Sequence, residues 1–151
     1  MHLRIALAAV AAIAALAGCG GGGGSASSPA TFRQQADAIC TKYEQKLEAL
    51  GSPTSFDDLA EFVDQAVPII EQGNNELKAL QPPDEFSDEW GRVLALQEKN
   101  LEATRDLRDA IHANDEMKAQ ELMTQLGSSS TESNELARRM GLEQCGRLSQ
   151  G

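Results

Sequence analysis

The chain has 151 residues, of which 41% are hydrophobic and only 4% aromatic, with 23 acidic against 13 basic residues and a formal net charge of −10. Removing positions 1–18 leaves 133 residues and removing the tract through Ala30 leaves 121, enough for one domain with one core and too few for two. All 23 acids but only 12 of the basic residues follow position 18, so that part carries −11 and offers no basic face. This argues against nucleic acid as a partner and sets the domain against an anionic membrane surface.

His2 and Arg4 precede the apolar run from Ile5 to Leu16, the basic start and short apolar stretch of a secretory signal. At 12 residues the run is too short to span a bilayer. Small residues at Ala17 and Gly18 suit a peptidase that grips extended backbone, and Cys19 supplies a thiol for acylation. Leu16-Ala17-Gly18-Cys19 resembles the lipobox of bacterial lipoproteins. The resemblance implies that residues 1–18 are a signal peptide cut before Cys19, and that the Cys19 sulfur carries diacylglyceryl. Chains such as palmitate then anchor the protein at the extracytoplasmic face of the cell membrane, and two or three hold where one does not. Residues 19–30 read as that cysteine plus a Gly/Ser-rich tether, spanning roughly 18 Å as a flexible coil.

Residues 31–151 read as the folded domain. Thr31 with Gln34 has the spacing of a capping box, and a first helix is expected from Phe32. Phe32, Ala36, Ile39, Tyr43, Leu47 and Leu50 share one of its faces, and Gly51 ends it. Ser55 and Asp58 open a second helix whose stripe runs through Leu59, Phe62, Val63, Ala66, Ile69 or Ile70, Gly73, Leu77 and Leu80, and the helix stops at Gln81. Pro68 lies inside it and removes one backbone hydrogen bond, so a kink or a division into two shorter helices is expected, with Gly73 a second soft point.

Pro83, Asp84 and Glu85 suit a helix start, because proline there loses only an unpaired donor and the acids face the positive dipole end. The third helix carries Phe86, Trp90, Val93, Leu94, Leu101, Thr104, Leu107 and Ile111. Asn114 or Asp115 opens the fourth, with Ala119, Leu122, Leu126, Ser129, Ser133, Leu136 or Ala137, and Met140 on its stripe. Gly127–Thr131 has poor helix propensity, and a continuous helix is favoured there over a break. Four amphipathic helices on short connections give an all-α, antiparallel up-down-up-down four-helix bundle.

After Cys19 is lipidated, Cys40 and Cys145 remain, and an even pair in an exported chain reads first as a disulfide. Helix lengths oppose it at first: with helix 4 straight, Cys145 reaches the top of the bundle while Cys40 sits roughly 22 Å lower. Two adjustments remove the conflict. Helix 4 ends at Met140 with Gly141 as a left-handed cap, or residues 51–55 raise helix 1. The pattern of Ala36-x-x-x-Cys40, Leu80-x-Pro82-Pro83 and Met140-Gly141-x-x-x-Cys145 resembles small secreted helical lipoproteins of actinobacteria and related high-GC bacteria. That resemblance implies export and a helical bundle, and no activity.

The sequence singles out no catalytic residue, no metal ligand and no cofactor. His112 with Asp109 forms one Asp-x-x-His, half of a bundle metal motif that is needed twice, so it reads as a polar residue at the negative end of helix 3. Haem ligation by His112 with Met117, Met123 or Met140 is the competing reading, against methionine as core filler. Trp90 with Phe86 reads as core rather than pocket lining, and Tyr43 as a core-edge residue with its hydroxyl in water. Neither a nucleophile elbow nor a phosphate-binding loop is present in the sequence, since Gly20–Gly24 is homopolymeric and follows no strand.

Three functions follow in order. A non-enzymatic, lipid-anchored interaction or envelope module comes first. A small-ligand, metal or haem carrier comes second, with a cavity lined by Gly73, Thr104, Ser129 and Ser133. An enzyme comes last. The membrane is contacted through the lipid, and the sequence does not identify a protein or small-molecule partner.

Overall fold

The computed structural model describes residues 27–147. Four helices are present, α1 (Pro29–Glu48), α2 (Phe56–Lys78), α3 (Ser87–His112) and α4 (Glu116–Arg139), with short 3₁₀ turns at Asp84–Phe86 and Cys145–Arg147. Among the described residues there is no strand, and no helix is long and apolar enough to cross a membrane. The expected all-α four-helix architecture is what the chain forms.

α1 starts earlier than the Thr31 box suggests. Ser28 is its N-cap, accepting the Thr31 amide at 3.2 Å, and Pro29 takes the first helical position, where its missing N–H costs nothing. The last two residues read as tether, Pro29 and Ala30, therefore form the first turn of the helix. At α2, Ser55 accepts the Asp58 amide at 3.0 Å, as its spacing indicated. Asp58 in turn accepts the Thr54 hydroxyl at 2.6 Å and the Thr54 amide at 3.2 Å. These bonds, the Thr54 hydroxyl first, hold the Asp58 carboxyl below the usual carboxylate range.

α2 runs unbroken through Pro68, so the two-helix alternative is not realised, and it ends at Lys78 rather than Gln81. Pro68 is exposed, where the carbonyl it leaves unbonded can be hydrated. α4 is likewise continuous through Gly127–Thr131. The hydroxyls of Thr124, Ser128 and Thr131 donate to carbonyls four residues back, while Ser129 and Ser133 turn inward, the Ser129 hydroxyl without a hydrogen-bond partner. Asn114, at φ 54°, closes α3: its amide bonds Ile111 and the Asp115 amide bonds Ala110, each at 2.9 Å. Asp115 then caps α4 by accepting the Lys118 amide, so one residue ends one helix and starts the next.

Successive helices pack on one another, α1 on α2, α2 on α3 and α3 on α4, and the segment after α4 returns to α1. The α1–α2 pairs Lys42–Glu76 and Lys46–Gln72, and the α2–α3 pairs Glu71–Arg105 and Asp64–His112, run in opposite senses along the partners, as antiparallel neighbours require. The apolar interior has two parts. At one end Phe32, Ala36, Cys40, Leu77, Trp90, Val93, Leu136 and Met140 come from all four helices. At the other, Val63, Val67, Leu101, Leu107, Ile111, Ala119 and Leu122 come from α2, α3 and α4 alone. α1, about 30 Å long at 1.5 Å per residue, covers only the first of these. Leu50, Ser52 and Pro53 lie against Asp58, Glu61, Phe62 and Gln65, so the connection to α2 runs down the flank that α1 leaves open.

Candidate functional site

The end where all four helices meet is held by a clasp between α1 and the tail after α4. Cys40 and Cys145 form a disulfide with Cα atoms 5.2 Å apart across a sequence separation of 105. Either of the two adjustments would have sufficed by the helix arithmetic, and both are present. Gly141, at φ 75°, turns the chain: its amide bonds the Arg138 carbonyl and the Leu142 amide bonds the Ala137 carbonyl, each at 3.0 Å. Residues 49–55, running along α2, raise α1 to the same level.

Leu142 is fully buried and Met140 nearly so, and they anchor the returning tail in the core. The Asp37 carboxylate, one turn before Cys40, accepts the backbone amides of Glu143, Gln144 and Cys145 at 3.0, 2.9 and 3.1 Å. Those amides have no helix to satisfy them, and the carboxylate presents Cys145 to Cys40. The sequence reading missed Asp37, because a single acid on the edge of a helix looks like any solvated charge. Ser27 donates to the Gln81 carbonyl at 2.8 Å, so the described chain also enters at this end. Cys19, the expected lipidation site, lies outside the described residues.

At the other candidate residues the contacts differ from those the spacing suggested. His112 Nε2 meets the Asp64 carboxylate of α2 at 3.0 Å, whereas Asp109 pairs with Arg108. Among the described residues no group of three or more His, Cys, Asp or Glu could hold a metal ion. Met140 lies in the four-helix cluster at the far end from His112, while Met117 and Met123 are 85% and 43% exposed, so the three methionines do not converge. Trp90 is core, edge-on to Phe32 with ring centroids 5.0 Å apart. Its buried indole N–H has no acceptor, an arrangement that costs about 1–3 kcal/mol.

Tyr43 does not place its hydroxyl in water. The phenol donates to Glu76 Oε1 at 2.6 Å, and Lys42 Nζ reaches the same oxygen at 2.6 Å. The Lys42 bond and then the Tyr43 bond hold the Glu76 carboxyl below its ordinary range, and the bond to Glu76 pushes the phenol up. Gly73 is a contact rather than a soft point: a Cβ there would come 3.0 Å from Tyr43 Cγ, so its bare backbone is what lets the ring lie flat on α2.

A largely apolar groove of about 110 Å³ lies beside this contact, lined by Ile39, Tyr43, Leu47, Ile70, Gly73 and Leu77, with Glu44, Asn74 and Gln97 as its polar part. Of the four residues expected to share a cavity, only Gly73 is here. Thr104 donates to the Asn100 carbonyl, Ser133 meets Gln97 Nε2 at 3.4 Å, and Ser129 lines a separate depression with Leu96, Lys99 and Glu132. The buried Asn74 donates to the Gln97 carbonyl at 3.1 Å, so Asn74 and Ser133 join α2 and α4 to α3, whereas Thr104 bonds within its own helix. No family model matches the chain, and no curated protein or solved structure matches it.

Proposed function

We propose that the chain is a lipid-anchored module displayed on the extracytoplasmic face of the cell membrane, acting through contact rather than catalysis. The observation that carries this reading is the meeting of the entering chain and the disulfide clasp at one end of the bundle. A tether from Cys19 feeds directly into the one helix that is covalently fixed to the C-terminal tail, a sound arrangement for a domain held from that side. A disulfide persists in oxidising compartments, which agrees with export. The use of Asn74, Gln97, Ser133 and Thr104 in bonds within and between helices supports an architectural interior.

Replacing Cys19 with Ala tests it. The variant should leave the membrane fraction or accumulate as uncut precursor, and normal processing with full membrane retention would refute the proposal.

The groove beside Tyr43 favours a second reading, a carrier of a small apolar molecule. Its volume of about 110 Å³ falls below the roughly 150 Å³ of an engineered cavity that takes up benzene. Native mass spectrometry of the purified protein separates the two readings, since a carrier shows added mass.

A further inference from the structure

Building on the membrane-anchored reading, we infer that Arg33, Arg138 and Arg147 form a phosphate-binding face for the headgroups of anionic phospholipids, on which the tether end of the domain rests. The seven arginines among the described residues fall into two groups. Arg92, Arg105, Arg108 and Arg139 each hold a carboxylate, from Glu132, Glu71, Asp109 and Glu135 respectively. Arg33, Arg138 and Arg147 hold none among the described residues, in a chain with 23 acids, and all three surround one bend of backbone at Gly141–Glu143.

Arg33 reaches the bend from α1. Its Nε donates to the Met140 carbonyl at 2.6 Å and lies 3.0 Å from where a Cβ on Gly141 would stand. Arg138 and Arg147 line a shallow groove of about 480 Å³ with Gly141, Leu142 and Glu143. Arg138 Nη1 donates to the Gly146 carbonyl at 3.1 Å, and Arg147 donates to the Gln144 side chain. All of these acceptors are neutral, so each guanidinium has donors left over from its five, although Glu135, paired with Arg139, also feels the charge of Arg138. The planar fork of a guanidinium matches two oxygens of one phosphate. Glu143 is the carboxylate that lines the groove, and the neighbouring Asp37 is occupied by three backbone amides.

The position of the chain entry chooses the lipid over other phosphates. Ser27 sits at this end, and the eight residues from Cys19 to Gly24 and on through Ala26 reach at most about 27 Å, so the headgroups stay within range. Attraction across a Debye length of about 8 Å acts only when the arginine end faces the bilayer. Asp57, Asp58, Asp115 and Glu116 crowd the opposite end, so repulsion turns the molecule in the same sense. Asp84, Glu85, Asp88 and Glu89 share the arginine end, and Arg33 lies over the Phe86 ring at 4.9 Å from its centroid, beside the first two of these acids, so the contact centres on the tail after α4 with Arg33 at its margin. The structure thus gathers a local basic face that a chain of net charge −10 does not suggest.

The test uses the lipidated protein reconstituted into vesicles of phosphatidylcholine alone or with phosphatidylglycerol, treated with phenylglyoxal and read arginine by arginine by mass spectrometry. Phosphatidylglycerol should slow modification of Arg33, Arg138 and Arg147 several-fold while Arg105 and Arg108 react as before, and high salt should erase the difference. Arg147→Gln, at an exposed position that leaves the fold intact, should cut the protection of Arg138 by about fivefold, the share of one arginine near an anionic surface. Equal rates in both vesicles, or equal slowing at Arg105 and Arg108, would overturn the inference. Slowing reproduced by inorganic phosphate over phosphatidylcholine would replace the headgroup with a free anion and overturn it too. Protein that fails to float with either vesicle contradicts the anchor itself, a result distinct from floating without protection.

Discussion

Removing the disulfide by Cys40→Ala with Cys145→Ala should be strongly destabilising. The bridge closes a loop across a separation of 105 residues. In the chain-entropy account a loop of that length restricts the unfolded state by about 4.8 kcal/mol at 25 °C. With about 2.1 cal/mol/K of unfolding entropy per residue over the 121 described residues, that corresponds to a fall in Tm of about 15–20 °C. The loss should be uneven, because α1 packs on α2 and the returning tail, and the second core cluster draws nothing from it. Thermal melts followed by far-UV circular dichroism measure the shift, and hydrogen exchange should show α1 opening ahead of α3. A fall in Tm of less than about 5 °C, or α1 and α3 opening together, would refute the clasp as the device that holds α1 in place.

Two glycines in helix interiors should respond in opposite directions. Gly127→Ala meets open space and should add about 1 kcal/mol of stability, whereas Gly73→Ala drives a methyl into the Tyr43 ring and should lose about 1 kcal/mol, both read from denaturant melts. His112→Ala should change stability by less than about 1 kcal/mol and leave metal content unaltered, as expected of a half-exposed pair with Asp64; loss of a bound metal by elemental analysis would contradict this. Tyr43 is the only tyrosine, so an ultraviolet titration reads it alone: its midpoint should lie above the ordinary 10.0, and Glu76→Gln should bring it back down. Because the phenol is raised and the Glu76 carboxyl lowered, the stabilisation from this contact is present between the two ordinary values. It is lost as pH falls through the carboxyl's folded value or rises through the phenol's.

Helix identity and facing were legible because apolar residues three and four apart leave little choice of face, and Phe32, Ala36, Trp90, Val93 and Leu122 are buried as their spacing indicated. Height along the bundle was not legible. A stripe fixes which side of α1 points inward, but its level depends on how residues 49–55 travel, and an extended connection and a tight turn look alike in sequence. The start of α1 was misplaced although Ser28-Pro29 carries its own signal, a cap followed by proline at the first helical position, because Thr31-x-x-Gln34 fits a similar template three residues on. Partners across helices were hidden altogether. Spacing links His112 only to Asp109 on its own helix, while its actual partner, Asp64, lies 48 residues away, and the carboxylate of Asp37 meets amides more than 100 residues on. Gly141 was legible as a cap only through the disulfide, as one of two ways to bring Cys145 back toward Cys40, and its φ of 75° is the left-handed end that a glycine allows.

The intact mass of the protein purified from the membrane fraction tests the central claim most directly. The account predicts a chain that begins at Cys19, carries the added mass of two or three acyl chains, and is two hydrogens lighter than its reduced form because Cys40 and Cys145 are joined. A chain that retains residues 1–18, or one that begins elsewhere without lipid, would contradict it.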